Sequence, residues 1–141
     1  MSTNADFSGK VAIITGAGRG IGSTIAQELA KAGAIVASAD LLPEDQWTNP
    51  LTAPHTRHFV DVRSKQSCLD LVESVVKVHG RVDHLVNNAG IVRRAKASEM
   101  SEKDFTDVID INLTGTFFMS QALYPQLKTT RGTIVNIGST S

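Results

Sequence analysis

The apolar run Val11-Ala12-Ile13-Ile14 leads without a break into Thr15-Gly16-Ala17-Gly18-Arg19-Gly20-Ile21-Gly22, and this junction constrains the fold more than any other stretch. An apolar run of that length, with no polar alternation, reads as a strand covered on both faces. A turn with four glycines then delivers the chain into a segment whose apolar residues, Ile25 and Leu29 among them, recur at helical spacing, with Gly33 placed to end it. Such a strand-to-helix turn is suited to hold an anion. Glycine admits φ > 0 and close backbone approach, and the positive end of the helix dipole attracts negative charge.

The same rhythm repeats along the chain. Short apolar runs at residues 34–37, 58–60, 85–86 and 134–137 alternate with longer segments of helical period. A second helix is expected over residues 65–79, with Cys68, Leu71, Val72, Val75 and Val76 on one face and Gly80 as its stop. Ser101, three residues before Asp104, reads as a capping box opening a long helix that runs through Phe105, Val108 and Ile109 to Leu127, with Gly115 and Pro125 as places of bending or ending. Residues 41–56 stand apart: Pro43, Pro50 and Pro54 in a polar stretch, with Trp47, predict a loop with little helix. That loop is read either as an edge of a ligand site or, with more weight, as a variable connection. The whole is an α/β fold, a doubly wound parallel sheet of Rossmann type, formed by one domain over residues 1–141.

Composition excludes several alternatives. Of 141 residues, 41% are hydrophobic, enough for a real core, and fourteen basic residues balance fourteen acidic ones. No basic surplus points to nucleic acid or an anionic membrane surface. A single cysteine, Cys68, cannot form an internal disulfide, and no cysteine or histidine pair has zinc-like spacing, so no metal is expected and a cytoplasmic location fits. The start of the chain lacks the basic and apolar pattern of a secretory leader, and no apolar run approaches membrane-spanning length.

Asp40 closes the second apolar segment eighteen residues past Gly22. There a carboxylate can accept hydrogen bonds from the ribose hydroxyls of a dinucleotide; the alternative, given less weight, is an ordinary turn aspartate. The turn itself is not Gly-x-Gly-x-x-Gly; it is Gly-x-x-x-Gly-x-Gly, at Gly16, Gly20 and Gly22 with Gly18 between, preceded by Thr15. Farther along, Asn87-Asn88-Ala89-Gly90 follows the fourth apolar run.

These two motifs, in this order, resemble the short-chain dehydrogenase/reductase family, and the resemblance covers nearly the whole chain. It implies that Gly16, Gly18, Arg19, Gly20, Ile21 and Gly22 cradle a nicotinamide dinucleotide with Asn88, Ala89 and Gly90. It further implies that Asp61 and Val62 meet the adenine, that Asn112 holds a water in a proton relay, and that Ser139 hydrogen-bonds the reacting oxygen. Taken by themselves, Ser139 reads as a strand-end serine and Asn112 as a satisfied helix asparagine. A serine-hydrolase role for Ser139 is disfavoured, because Gly138-Ser139-Thr140-Ser141 lacks the nucleophile-elbow spacing.

The resemblance also implies an acid/base tyrosine with a lysine four residues later, on a helix after the fifth strand, and the 141 residues contain no such pair beyond Ser139. Tyr124 and Lys128 have the spacing but precede Ser139, and Pro125 between them is expected to break the helix. The expectation is therefore a domain truncated at its carboxyl end, incomplete after the fifth strand, that alone is inactive or severely impaired. Its fifth strand is left as a bare edge, prone to aggregation or to seeking a partner. NAD is expected over NADP, because Asp40 would repel a 2′-phosphate and Leu41 offers no basic residue, although Arg19 argues weakly the other way. The implied substrate is a small alcohol or ketone, and the implied complete protein a homo-oligomer. Arg93-Arg94 admit an acidic sugar or keto acid but read more simply as a solvated pair, in a stretch similar to the family's sugar-acid and polyol dehydrogenases. Two other readings stand beside the oxidoreductase. One is a dinucleotide-binding or subunit-pairing module without catalysis. The other is a methyltransferase, which leaves Asn88, Asn112 and Ser139 unaccounted for.

Overall fold

The computed structural model describes residues 5–140. Five parallel strands, β1 (Val11–Thr15), β2 (Ile35–Asp40), β3 (Thr56–Phe59), β4 (His84–Asn87) and β5 (Thr133–Asn136), form one sheet in the order β3-β2-β1-β4-β5. The register sets Val11 beside Ile35 and Ile13 beside Leu85, so the two halves of the sheet meet at β1. Strand order reverses there, and in such sheets the reversal opens a crevice at the carboxyl ends of the strands.

Helix α1 (Gly20–Lys31) covers one face, with Ala12, Ile14, Val36 and Val86 beneath it. The other face is covered by α2 (Lys65–His79) and by a long helical segment made of α3 (Glu102–Ile109), a π-helical turn (Asp110–Thr114) and α4 (Gly115–Thr130). The core on that side joins Ile13, Leu85, Cys68, Val75, Met119 and Leu123. Burial on both faces explains the unbroken apolar character of β1.

The caps follow the residues expected to make them. Ser101 Oγ accepts from the backbone N–H of Asp104 at 3.0 Å, and Gly80 closes α2 in the left-handed conformation, φ +79°. Two expectations need correction. The third strand begins at Thr56, two residues early, and alternates half-buried and exposed residues, because β3 is an edge strand with one neighbour. Pro125 lies inside α4 without ending it, and the irregularity falls earlier, in the π turn before Gly115. Gly115 serves close approach: a Cβ there would lie 2.6 Å from Val62 Cγ2. Strand β5 is exposed along its length, with Ile134 and Val135 about half exposed at the edge of the sheet.

Candidate functional site

A cleft of about 430 Å³ opens where the strand order reverses. Gly16, Arg19, Gly20 and Ile21 line one wall, Asp40, Asp61 and Val62 the far end, and Asn88, Ala89 and Gly90 the other wall. Gly18 and Gly22 lie behind the lining. Gly16 and Gly20 have positive φ, +67° and +61°, whereas Gly18 and Gly22 do not. Gly22 is required by space, since a Cβ would overlap the carbonyl oxygen of Gly16 and come within 2.5 Å of Asn88 Nδ2. The cap residue of α1, Arg19, has extended backbone and makes no side-chain cap, so the helix presents its first amides with no side chain claiming them.

The two glycine-bearing motifs are bolted together by Thr15 and Asn88. Thr15 Oγ1 accepts the backbone N–H groups of Asn88 (3.1 Å) and Ala89 (3.0 Å). Asn88 Nδ2 donates back to the carbonyls of Thr15 and Gly16, both at 3.2 Å. Asn87, one residue earlier, points into the protein and donates to Ser120 Oγ and Asn136 Oδ1, tying β4 to α4 and β5.

Asp40 ends β2, and its carboxylate is oriented by backbone donors. Oδ2 accepts from Gly18 N–H at 2.8 Å and Oδ1 from Leu42 N–H at 3.1 Å. Lone pairs remain on both oxygens for a diol. Asp61 is engaged differently: Arg63 grips it through Nε (2.9 Å) and Nη2 (2.8 Å), and this holds the carboxyl below its usual range. Asn112, in the π turn, clasps the backbone of Ile91 from both sides: its Oδ1 accepts the N–H and its Nδ2 donates to the carbonyl, each at 2.9 Å. Ser139 follows β5 and is exposed. Arg93 lies outside the cleft lining and pairs with Asp104 at 3.5 Å. Tyr124 and Lys128 share a continuous helix, contrary to the expectation about Pro125, yet neither lines the cleft.

Sequence reasoning missed Asn49. It is buried in the loop after β2 and bonded to the glycine turn, and nothing in a polar, proline-rich stretch signals one buried amide.

A parallel sheet with a glycine-lined crevice at its reversal point defines a Rossmann-type nucleotide-binding fold. The model of the short chain dehydrogenase family matches residues 10–141, and the chain belongs to that family of oxidoreductases. It is 39% identical over 140 residues to the 2-dehydro-3-deoxy-D-gluconate 5-dehydrogenase of Dickeya dadantii, covering 95% of this chain and 55% of that protein. It is 39% identical to the D-threitol dehydrogenase of Mycolicibacterium smegmatis, covering 99% of this chain and 56% of that one. A crystal structure of the 3-ketoacyl-(acyl-carrier-protein) reductase from Brucella melitensis complexed with NADH superposes with a TM-score of 0.88 at 30% identity, covering 95% of this chain and 59% of that chain. The chain thus spans a little over half the length of these relatives. Among the described residues no helix is long and apolar enough to cross a membrane.

Proposed function

We propose that the cleft binds NAD and that the chain supplies the cofactor-binding half of an oxidoreductase moving hydride between a secondary alcohol, or its ketone, and the nicotinamide. The observation that carries this reading is the convergence of Gly16, Gly20, Asp40 and the Asn88-Ala89-Gly90 segment on one cleft at the sheet's reversal point. On this reading the orphan amides of α1 take the pyrophosphate, Asp40 takes the adenosine ribose, and Asp61 with Val62 borders the adenine. Asn112 keeps the Ile91 backbone in place beside the nicotinamide end, and Ser139 supplies the hydroxyl that polarises the substrate oxygen. The bound nicotinamide supplies the hydride chemistry. Relatives named for a gluconate derivative and for threitol support a polyhydroxylated substrate class.

The discriminating measurement is titration of the chain with NADH and NADPH, with and without Asp40→Ala. Tighter binding of NADH, and a larger loss for NADH than for NADPH on substitution, is expected; equal losses would overturn the assignment to NAD. A second reading, a binder without catalysis, is favoured for these 141 residues by the position of Tyr124 and Lys128 outside the cleft lining. NADH binding without alcohol-dependent NADH formation would establish it.

A further inference from the structure

The crossover from β2 to β3 holds no α-helix, only the single turn Glu44–Gln46, and Leu51 from this connection packs into the core on the α1 side. At its centre Asn49 is 2% exposed. A buried amide needs its hydrogen bonds met, and the bonds of Asn49 reach the glycine turn. Its Nδ2 donates to the carbonyl of Ala17 at 2.8 Å and to Ser38 Oγ at 3.0 Å, while Oδ1 accepts from Leu51 N–H at 3.0 Å. The backbone N–H groups of Thr48 and Asn49 donate to the Gly18 carbonyl at 2.9 and 3.0 Å. From the sheet, Ala39 O accepts Ala17 N–H at 3.1 Å, and Asp40 accepts that of Gly18. All four backbone polar groups of Ala17 and Gly18 are therefore held from outside the turn, while Gly16 and Gly20 on either side line the cleft. Trp47 seals the arrangement. A Cβ on Gly18 would lie 3.2 Å from its ring, and Arg57, which donates to the Asn49 carbonyl, sits 5.5 Å from the ring centroid.

We propose that Asn49 is a positioning residue for dinucleotide binding, holding the glycine turn in its ligand-ready shape from behind through a clasp that stands where a crossover helix would be. The inference rests on the cofactor reading above. A glycine-rich turn has more conformational freedom to lose than any other, and apparent affinity falls by the fraction of time the turn is out of shape. Loss of the clasp therefore weakens binding without removing any group that touches the ligand.

The test titrates NADH into wild type, Asn49→Ala, Asn49→Asp and Val75→Ala, following emission of Trp47, the only tryptophan, alongside the Tm of each variant. Val75, buried on α2, controls for general destabilisation. Asn49→Ala is expected to raise Kd at least tenfold while Val75→Ala stays within twofold. Asn49→Asp keeps the shape but loses the N–H donor, and protonation of the introduced carboxyl restores a donor. Its Kd relative to wild type at the same pH should therefore tighten between pH 8 and pH 6. A Kd for Asn49→Ala within twofold of wild type, or no larger than that of Val75→Ala at equal loss of Tm, overturns the proposal. Where Asn49→Ala does not fold, the Asn49→Asp series decides, and a ratio flat with pH overturns it. Absence of NADH binding by wild type refutes the cofactor reading itself and this inference with it; binding by wild type with indifferent variants refutes only the role of Asn49.

Discussion

Gly20 and Gly22 are two positions apart and are glycine for different reasons. Gly20 sits at φ +61° with open space around its α-carbon, so a methyl group there meets no neighbour and bears only the left-handed conformational cost, about 1–2 kcal/mol. Gly22 has ordinary backbone, but a methyl group would drive into the Gly16 carbonyl and the Asn88 amide, both walls of the cleft. Gly20→Ala should therefore lower the urea midpoint modestly and leave measurable NADH binding, whereas Gly22→Ala should abolish binding and destabilise by about 1–3 kcal/mol or more. Equal binding losses would contradict this division. The spacing of the glycines identified the turn from sequence alone, but the reason for Gly22 was illegible because its obstacles, the Gly16 carbonyl and the Asn88 amide, meet it only once the turn has folded against a distant motif. Asp61 teaches the same lesson: its position after the third strand was legible, whereas its pairing with Arg63 depends on side-chain reach two residues on.

Among the elements, α2 was legible to its termini, since an apolar stripe ending in glycine needs no tertiary partner to be recognised. Strand β3 and the π turn were not: an edge strand has only half the apolar signal, and a π turn keeps helical period while adding one residue. The β3 edge is fastened by imidazoles. His55 Nδ1 accepts the Val36 N–H at 3.0 Å, and Thr56 Oγ1 lies 2.7 Å from His58 Nε2 and 2.8 Å from His79 Nε2. Protonation of both His58 and His79 would set two positive rings against each other across one hydroxyl, and protonation of His55 at Nδ1 would remove the acceptor for Val36. Burial lowers the pKa of all three; proximity of His79 lowers His58 further, and that of His55 lowers His79. Folded values below the unfolded value of about 6.5 mean that the unfolded chain takes up protons first. Stability is therefore full above about pH 6.5 and declines as the pH falls below it. Urea midpoints at pH 8, 7, 6 and 5.5 should fall on acidification, with a shallower slope for the His58→Gln/His79→Gln double variant. His55 and His84, also lowered by burial, contribute to both profiles, so the difference between them isolates His58 and His79. A flat wild-type profile would contradict the account.

For the whole molecule, exposed apolar side chains are spread over the surface, and those on β5, Ile134 and Val135, coincide with an edge of the sheet. Surface of this kind seeks cover, and an unpaired parallel edge adds a template for strand pairing. Sedimentation velocity of the chain should show association that rises with concentration; a single monomeric boundary at every concentration would contradict it. The order of strands was only partly legible, because parallel neighbours are set by crossovers rather than by adjacent turns. The bolt at Thr15 reaches residues 73 and 74 positions away in sequence. During synthesis the glycine turn leaves the ribosome long before Asn88 and Ala89 exist to lock it, so a growing chain carries an unfinished receptor. On the cofactor reading, dinucleotide then acts as an inspector of assembly: it rewards only chains in which β4 has docked beside β1, and it deepens the well of that state alone.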